Sequence, residues 1–378
     1  MNNKEAFKNY VKNGGEQFIC SPQIGGGAGF DAKIKGKEWL GEITPFDTKD
    51  VCEMFDMIPL YNFCVDDFSC LTPQCSWETV NELVDEKGRR VKERVFKTPK
   101  GNLTSKSIEE RKNGSFQTKY PITEEAELDI LEYFVDCISE VTDFSPLTGQ
   151  IAEIRRMLGD SEALSIQWAM QPYELFGFPN TMDTAIFAIE CPNIFKRLMD
   201  KILKINEKLI KAAAAGGTDF VFLGGPGSEM ISPKFYEEFL VPYSKIVSEM
   251  AHKEGLLIYS HICSPIEPML TAGYYNQMGI DLFETLSGPP VGNIKGVEDA
   301  FRKLSDKICT RGNVGLDLLL TGTPEEIKKE SLAILEVAKK MGRKHILAAS
   351  DYLFYNVPAE SVRAMCEAVK EFNNGKKS

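Results

Sequence analysis

Hydrophobic and polar positions in the second half of the chain follow two alternating rhythms. Short, almost unbroken apolar runs recur: DFVFLGG (219–225), LLIYSHI (256–262), DLFETL (281–286), KICTRGN (307–313) and HILAASD (345–351). Their length and content are those of strands buried on both faces. Between them lie longer segments with a helical period. SPKFYEEFLVPYSKIVSEMAHKEG offers Ser232 as N-cap and Pro233 at the first helical position. TPEEIKKESLAILEVAKKMG opens on a capping box of Thr323 and Glu326, with Pro324 between, and closes on Gly342. PAESVRAMCEAVKEF reads as a final helix. Strand, helix and strand at this spacing predict a parallel sheet. Upstream, FICSPQI (18–24), IPLYNFCV (58–65) and LSIQWAMQP (164–172) bring the strand total to about eight, the number that closes a (β/α)8 TIM barrel.

The stretch from about 66 to 160 departs from this rhythm. GRRVKERVFKTPKGNLTSKSIEE alternates, turns at Pro99–Gly101 and alternates again, which predicts an exposed β-hairpin inserted into the barrel. Residues ahead of the first strand form an N-terminal extension. No internal repeat, low-complexity tract or linker divides the chain, and KAAAAGG (211–217) reads as a helix end. The expectation is one elaborated domain over 1–378. GGGAG (25–29) lacks dinucleotide-fingerprint spacing and no clear helix follows it, so it is read as a flexible loop over the barrel mouth.

Composition narrows the partners. The net charge of -11 argues against a nucleic-acid partner, which requires a basic face. No apolar stretch approaches the roughly 18 residues that span a bilayer, and MNNKEAFKNYVKNGG has no signal-peptide core. A cytoplasmic protein is expected. The ten cysteines are scattered and several sit inside apolar runs, which fits reduced, packed thiols.

One pair stands apart. His261, one of three histidines, and Cys263 are spaced i and i+2 where a buried strand gives way to its loop. In an extended chain both point to the same side, and the C-terminal ends of barrel strands are where catalytic groups gather. Imidazole with thiolate suits zinc, although on the pair alone a satisfied loop histidine beside a buried cysteine is the favoured reading. A third ligand must come from another strand end. Asp351, closing HILAASD, is the first candidate; Glu284 and Cys309 are the others. Cys309 precedes its strand's end and is expected to pack deeper. Asp351 is also placed to cap a following helix.

GSEMISPKFYEEFLVPYSKIVSEMAHKEGLLIYSHIC, GIDLFETLSGPPVGN, GNVGLDLLLTGTPEEIKKE and HILAASDYLFYNVPAESVRAM resemble the uroporphyrinogen decarboxylase superfamily, and within it the cobalamin-dependent methyltransferase branch of O-demethylase type. The resemblance covers residues 160 to 372 well and the N-terminal part loosely. It implies a (β/α)8 barrel and zinc bound by a His-x-Cys pair plus a second cysteine near the C-terminus. His261 and Cys263 match the pair. The second cysteine falls on Asp351, a departure: either Asp351 takes the ligand role, or Glu284 does, or zinc is lost. Oxygen in place of sulfur makes a harder Lewis acid, suited to an ether or alcohol oxygen.

The resemblance further implies methyl transfer between a small methylated substrate and cobalamin carried on a partner corrinoid protein; assembly of the chain as a homodimer is left open. The expected direction is from a methoxylated, aromatic donor to Co(I). Alternatives are transfer from methylcobalamin to a thiol of the coenzyme M type, the decarboxylase reaction, and a metal-free, non-catalytic barrel. The decarboxylase fits poorly, since its polycarboxylate substrate needs a guanidinium clamp and no arginine precedes Arg89. Trp168, Gln171, Glu229, Asn313, Tyr352 and Tyr355 sit near strand ends and are candidates for substrate binding, with Glu284 a catalytic candidate. Packing at the barrel rim explains the aromatic stretches at least as well, and helix-cap or loop hydrogen bonding is the default reading of Glu229, Glu284 and Asn313.

Overall fold

The computed structural model describes residues 2–25, 28–39, 42–110, 114–168 and 171–375. Twelve strands run in chain order as β1 (Ile19–Cys20), β2 (Leu60–Cys64), β3 (Ser76–Val84), β4 (Arg90–Thr98), β5 (Gly101–Glu110), β6 (Gly114–Lys119), β7 (Ala163–Gln167), β8 (Phe220–Leu223), β9 (Leu257–His261), β10 (Leu282–Thr285), β11 (Cys309–Val314) and β12 (His345–Ala349). Eight of them form one curled parallel sheet in the order β1-β12-β11-β10-β9-β8-β7-β2. This is the sequential strand order of a TIM barrel. No ladder joins its two ends. The seam is bridged by the Ile58 amide donating to the Cys20 carbonyl at 3.1 Å.

Strand alternation sorts the residues. Leu60, Ala163, Phe220, Phe222, Leu257, Tyr259, Leu282, Cys309 and Ile346 form an inner cluster, and the opposite parity packs on the surrounding helices. The N-terminal extension is a helix, Asn3–Asn13, capped by Asn2. It inserts Phe7, Tyr10 and Val11 into the same inner cluster and closes the barrel's lower end. Cys309 is fully buried in this lower layer, so it packs and lies away from the strand ends.

The predicted helix starts are present. Ser232 accepts from the Phe235 amide, and Thr323 and Glu326 form the reciprocal capping box of helix Pro324–Lys340, with Gly342 left-handed just beyond it. The segment that Ser232 opens is interrupted by a π turn at Tyr236–Leu240 before helix Val241–Lys253. Pro242, which lacks an amide hydrogen, accounts for the break in the ladder.

Two expectations need correction. The insertion is a four-stranded antiparallel sheet, β3-β4-β5-β6, rather than a lone hairpin; its β4–β5 turn falls at the expected Pro99–Gly101. It is anchored by Phe96, which meets Phe134 and Phe178 edge to face at ring distances of 5.1 and 5.0 Å, and by Trp77, tilted against Phe178 at 5.8 Å. A helix, Phe30–Lys35, does follow the glycine-rich run. Gly26 and Gly27 of that run lie outside the described residues. Its end is tied down: Gly29 bridges Phe354, and the Tyr355 amide donates to the Ala28 carbonyl.

Candidate metal centre

On β9 the inward positions are Leu257, Tyr259 and His261. The first two fill the lumen, which places the third at its mouth. Cys263 lies two residues further on. On β12 the chain leaves the barrel at Ser350, and the Tyr352 amide donates to Oδ1 of Asp351 at 2.7 Å, turning that carboxylate inward. One ligand atom each from His261, Cys263 and Asp351 lies within 4.8 Å of the others. Nε2 of His261 is 3.4 Å from Oδ1 of Asp351. Asp351 caps no helix; the last helix, Ala359–Asn373, has Pro358 at its N-cap.

Glu284 does not join this group. It pairs with His261 in register across β9 and β10, and its Oε1 meets Nδ1 of the imidazole at 2.6 Å. The carboxylate is fully buried, accepts from the Tyr259 hydroxyl, and lies 3.1 Å from Nη1 of Arg311 on β11. Nε of Arg311 in turn donates to the Ser21 carbonyl at 2.6 Å. A polar relay thus runs from the imidazole through three neighbouring strands to the end of β1. Its geometry presents Nε2 to Cys263 and Asp351, the arrangement in which a carboxylate on one imidazole nitrogen orients the other toward a metal. Burial acts to lower the proton affinity of His261, but the carboxylates of Asp351 and Glu284 and the Cys263 thiol override it and hold the imidazole well above its usual range. Nitrogen, sulfur and oxygen donors on one point, with the second imidazole nitrogen already engaged, fit a zinc site that keeps one position open.

The remaining candidates divide. Tyr352 tilts its ring over His261 at 5.0 Å and belongs to the mouth. Asn313 points inward from β11; its amide nitrogen donates to the Leu286 carbonyl at 3.1 Å and its Oδ1 has no protein partner. Gln171 is fully buried with both amide ends engaged, donating to the Gly224 carbonyl and accepting from Ser244. Trp168 is buried and its indole donates to Asn206 at 3.2 Å, although it also edges a cleft beneath the inserted sheet. Glu229 is exposed on the loop after β8, and Tyr355 is partly exposed beside the glycine-rich loop.

Clefts flank the group of His261, Cys263 and Asp351. One reaches Ser264, next to Cys263; another, of about 620 Å³, reaches Asn313 and Ser350, next to Asp351. Sequence reasoning missed a residue at the first of these. Glu174 lines both this cleft and the one under the insertion. Its nearest donor is the Tyr173 hydroxyl at 3.4 Å, and burial pushes the carboxyl up to about 7. The next two residues, Leu175 and Phe176, hold left-handed backbone conformations at φ 47° and 59°. Strain of this kind at non-glycine residues gathers at functional sites. A glutamate among aromatics in PYELFGF was the only signal in the sequence.

Among known proteins, the family model described as uroporphyrinogen decarboxylase (URO-D) matches residues 160–372. Uroporphyrinogen decarboxylase of Prochlorococcus marinus is 23% identical over 256 residues, covering 62% of this chain and 68% of that protein. The Coxiella burnetii enzyme of the same name is 25% identical over 189 residues, 48% of either chain. A solved structure, a methyltransferase from Methanosarcina mazei, matches with a TM-score of 0.67 at 15% identity, covering 98% of this chain and 99% of that one. At that identity the likeness is one of fold.

Proposed function

The chain belongs to the uroporphyrinogen decarboxylase family, and from that premise we propose that it is a methyltransferase that moves a methyl group from a small methoxylated donor to the Co(I) corrinoid of a partner protein. The observation that carries this reading is the convergence of His261, Cys263 and Asp351 within 4.8 Å at the mouth of the barrel. The full-length likeness in fold to a methyltransferase supports it.

His261, Cys263 and Asp351 are the residues that would hold zinc, and zinc there supplies Lewis acidity toward a methoxy oxygen. The chain's own groups do the rest. Glu284, held by Tyr259 and Arg311, orients the imidazole and keeps its Nε2 free of a proton when a cation is bound. Tyr352 and the loop that carries it cover one side of the mouth. As the methyl group leaves for its acceptor, the donor oxygen keeps the bonding pair and needs a proton. Glu174, which lines the cleft beside Ser264 and keeps its proton below about pH 7, is the group that would give it.

The reading is tested by mixing zinc-loaded protein with a Co(I) corrinoid and a panel of methoxylated aromatics while following the cobalamin spectrum. Methylation with an ether donor, lost in His261→Ala, is expected. Stoichiometric zinc with no spectral change for any donor overturns the reading. Demethylation of methylcobalamin only on addition of a thiol selects the reverse direction, and protein that binds no zinc selects a non-catalytic barrel.

A further inference from the structure

The lumen holds a second set of side chains that the metal reading leaves unused. On β1, Ile19 packs with the inner cluster while Cys20 and Ile24 face the helices, so Ser21 and Gln23 continue the inward face. Asn62 follows Leu60 inward on β2, and Ser165 follows Ala163 inward on β7. Ser21 and Ser165 are fully buried and Gln23 is 1% exposed. The hydroxyls of Ser21 and Ser165, both heteroatoms of the Gln23 amide and Oδ1 of Asn62 have no hydrogen-bond partner in the protein. Nδ2 of Asn62 is taken by Gln167 at 2.8 Å.

These residues are neighbours. Asn62 and Ser165 are partners across the β2–β7 ladder, and β1 adjoins β2 at the Ile58–Cys20 bond. They occupy the arc of the barrel left over by His261 on β9 and by Cys263 and Asp351 just beyond the ends of β9 and β12. Buried amides and hydroxyls are almost always paired in folded proteins. Several unpaired ones on three adjacent strands mark a place where the partner comes from outside the chain.

Charge narrows what that partner is. At the inward positions of the eight strands, among the described residues, Arg311 is the one permanent cation, and it is engaged by Glu284 and the Ser21 carbonyl. A carboxylate or phosphate set against Gln23 would be stripped of water with no free counter-charge. A hydroxyl both donates and accepts, and it satisfies serine and amide groups alike.

We infer that Ser21, Gln23, Asn62 and Ser165 form a distal subsite that holds an uncharged, hydroxyl-bearing end of the methyl donor and turns away carboxylated donors. This rests on the reading of the mouth as a donor site and adds the substrate class to it. It also separates this chain from relatives named for a polycarboxylate porphyrinogen.

The test is calorimetric titration of zinc-loaded protein with 4-hydroxy-3-methoxybenzyl alcohol and with 4-hydroxy-3-methoxybenzoate, which differ in one charged group. The alcohol is expected to bind at least about tenfold tighter. Gln23→Leu should lower its affinity roughly tenfold with an unchanged thermal midpoint, and Ser165→Ala should lower it severalfold, by about the worth of one neutral hydrogen bond. Gln23→Lys should shift preference toward the benzoate. Equal or tighter binding of the benzoate overturns the inference. So does unchanged affinity in both neutral variants, which would mean that the polar row holds only water, or the absence of saturable binding by either compound. Failure of the functional reading looks different: an alcohol bound through Gln23 that never loses its methyl group to Co(I) removes the reaction and leaves the subsite.

Discussion

Nδ1 of His261 and Oε1 of Glu284 stand 2.6 Å apart across the β9–β10 ladder, with the carboxylate sealed from solvent. Glu284 had been a candidate for ligand or acid; in the structure its carboxylate meets the imidazole nitrogen that faces away from Cys263 and Asp351. Glu284→Gln should therefore weaken zinc binding about 10- to 100-fold in chelator competition. It should also destabilise the fold by about 3–5 kcal/mol in denaturant melts, because Arg311 is left buried without its counter-charge. Adding Arg311→Met should recover much of the stability and none of the metal affinity. Recovery of both would show that Glu284 acts on folding alone.

Asp351 replaces the cysteine that the resemblance leads one to expect. Asp351→Ala should leave two protein ligands and lose stoichiometric zinc on gel filtration, measured by elemental analysis. Asp351→Cys should hold zinc at least as tightly as the natural chain, since thiolate is the softer donor, yet slow transfer from ether donors. Retention of full zinc by Asp351→Ala would remove the carboxylate from the site.

Glu174 should give the proposed transfer a pH dependence. Its carboxyl, pushed up to about 7 by burial, is protonated below that pH and loses the proton above it. Transfer from ether donors should fall as pH rises through about 7. Glu174→Gln should be slower by roughly 100-fold and flat across the same range. A mutant that keeps the falling limb assigns it to another group.

Glu162 gives stability a pH dependence of its own. It is fully buried at the start of β7, neither carboxylate oxygen has a hydrogen-bond partner, and its pKa is pushed from 4.5 up to about 8, chiefly by burial. The folded chain therefore holds a proton that the unfolded chain releases above its ordinary carboxylate pKa. The stabilisation is complete below about 4.5 and is lost as pH climbs through about 8, at up to roughly 1.4 kcal/mol per pH unit. Thermal melts of Glu162→Gln should match the natural chain near pH 5 and exceed it near pH 9. Parallel curves for the two proteins would refute the assignment.

What the sequence disclosed follows from how local each signal was. The apolar runs of β8 to β12 and the caps at Ser232 and Thr323 are short-range patterns, and they folded as read. The i, i+2 spacing of His261 and Cys263, with Asp351 at another strand end, likewise foretold a cluster. β3 was illegible because its residues are largely exposed and a register shift between Thr79 and Asn81 breaks its alternation. Gln171 sat near a strand end, but its amide is consumed by Ser244 and Gly224, partners that only the fold brings together. The place of Glu284 depended on the register between β9 and β10, which no single strand encodes. Gln23 and Ser165 carry ordinary residue types; they became informative only as buried groups without partners.

The seam between β1 and β2 has one further implication. Every other joint of the barrel is a ladder, whereas this one is tacked by the Ile58–Cys20 bond, and the adjacent Ser21 carbonyl is the anchor of Arg311. The far end of that tether is the imidazole of His261. If an ion binds at the rim, this chain of contacts should carry its effect to the one joint of the sheet that has no ladder. Hydrogen–deuterium exchange at the Ile58 amide should then slow when zinc is added to the protein.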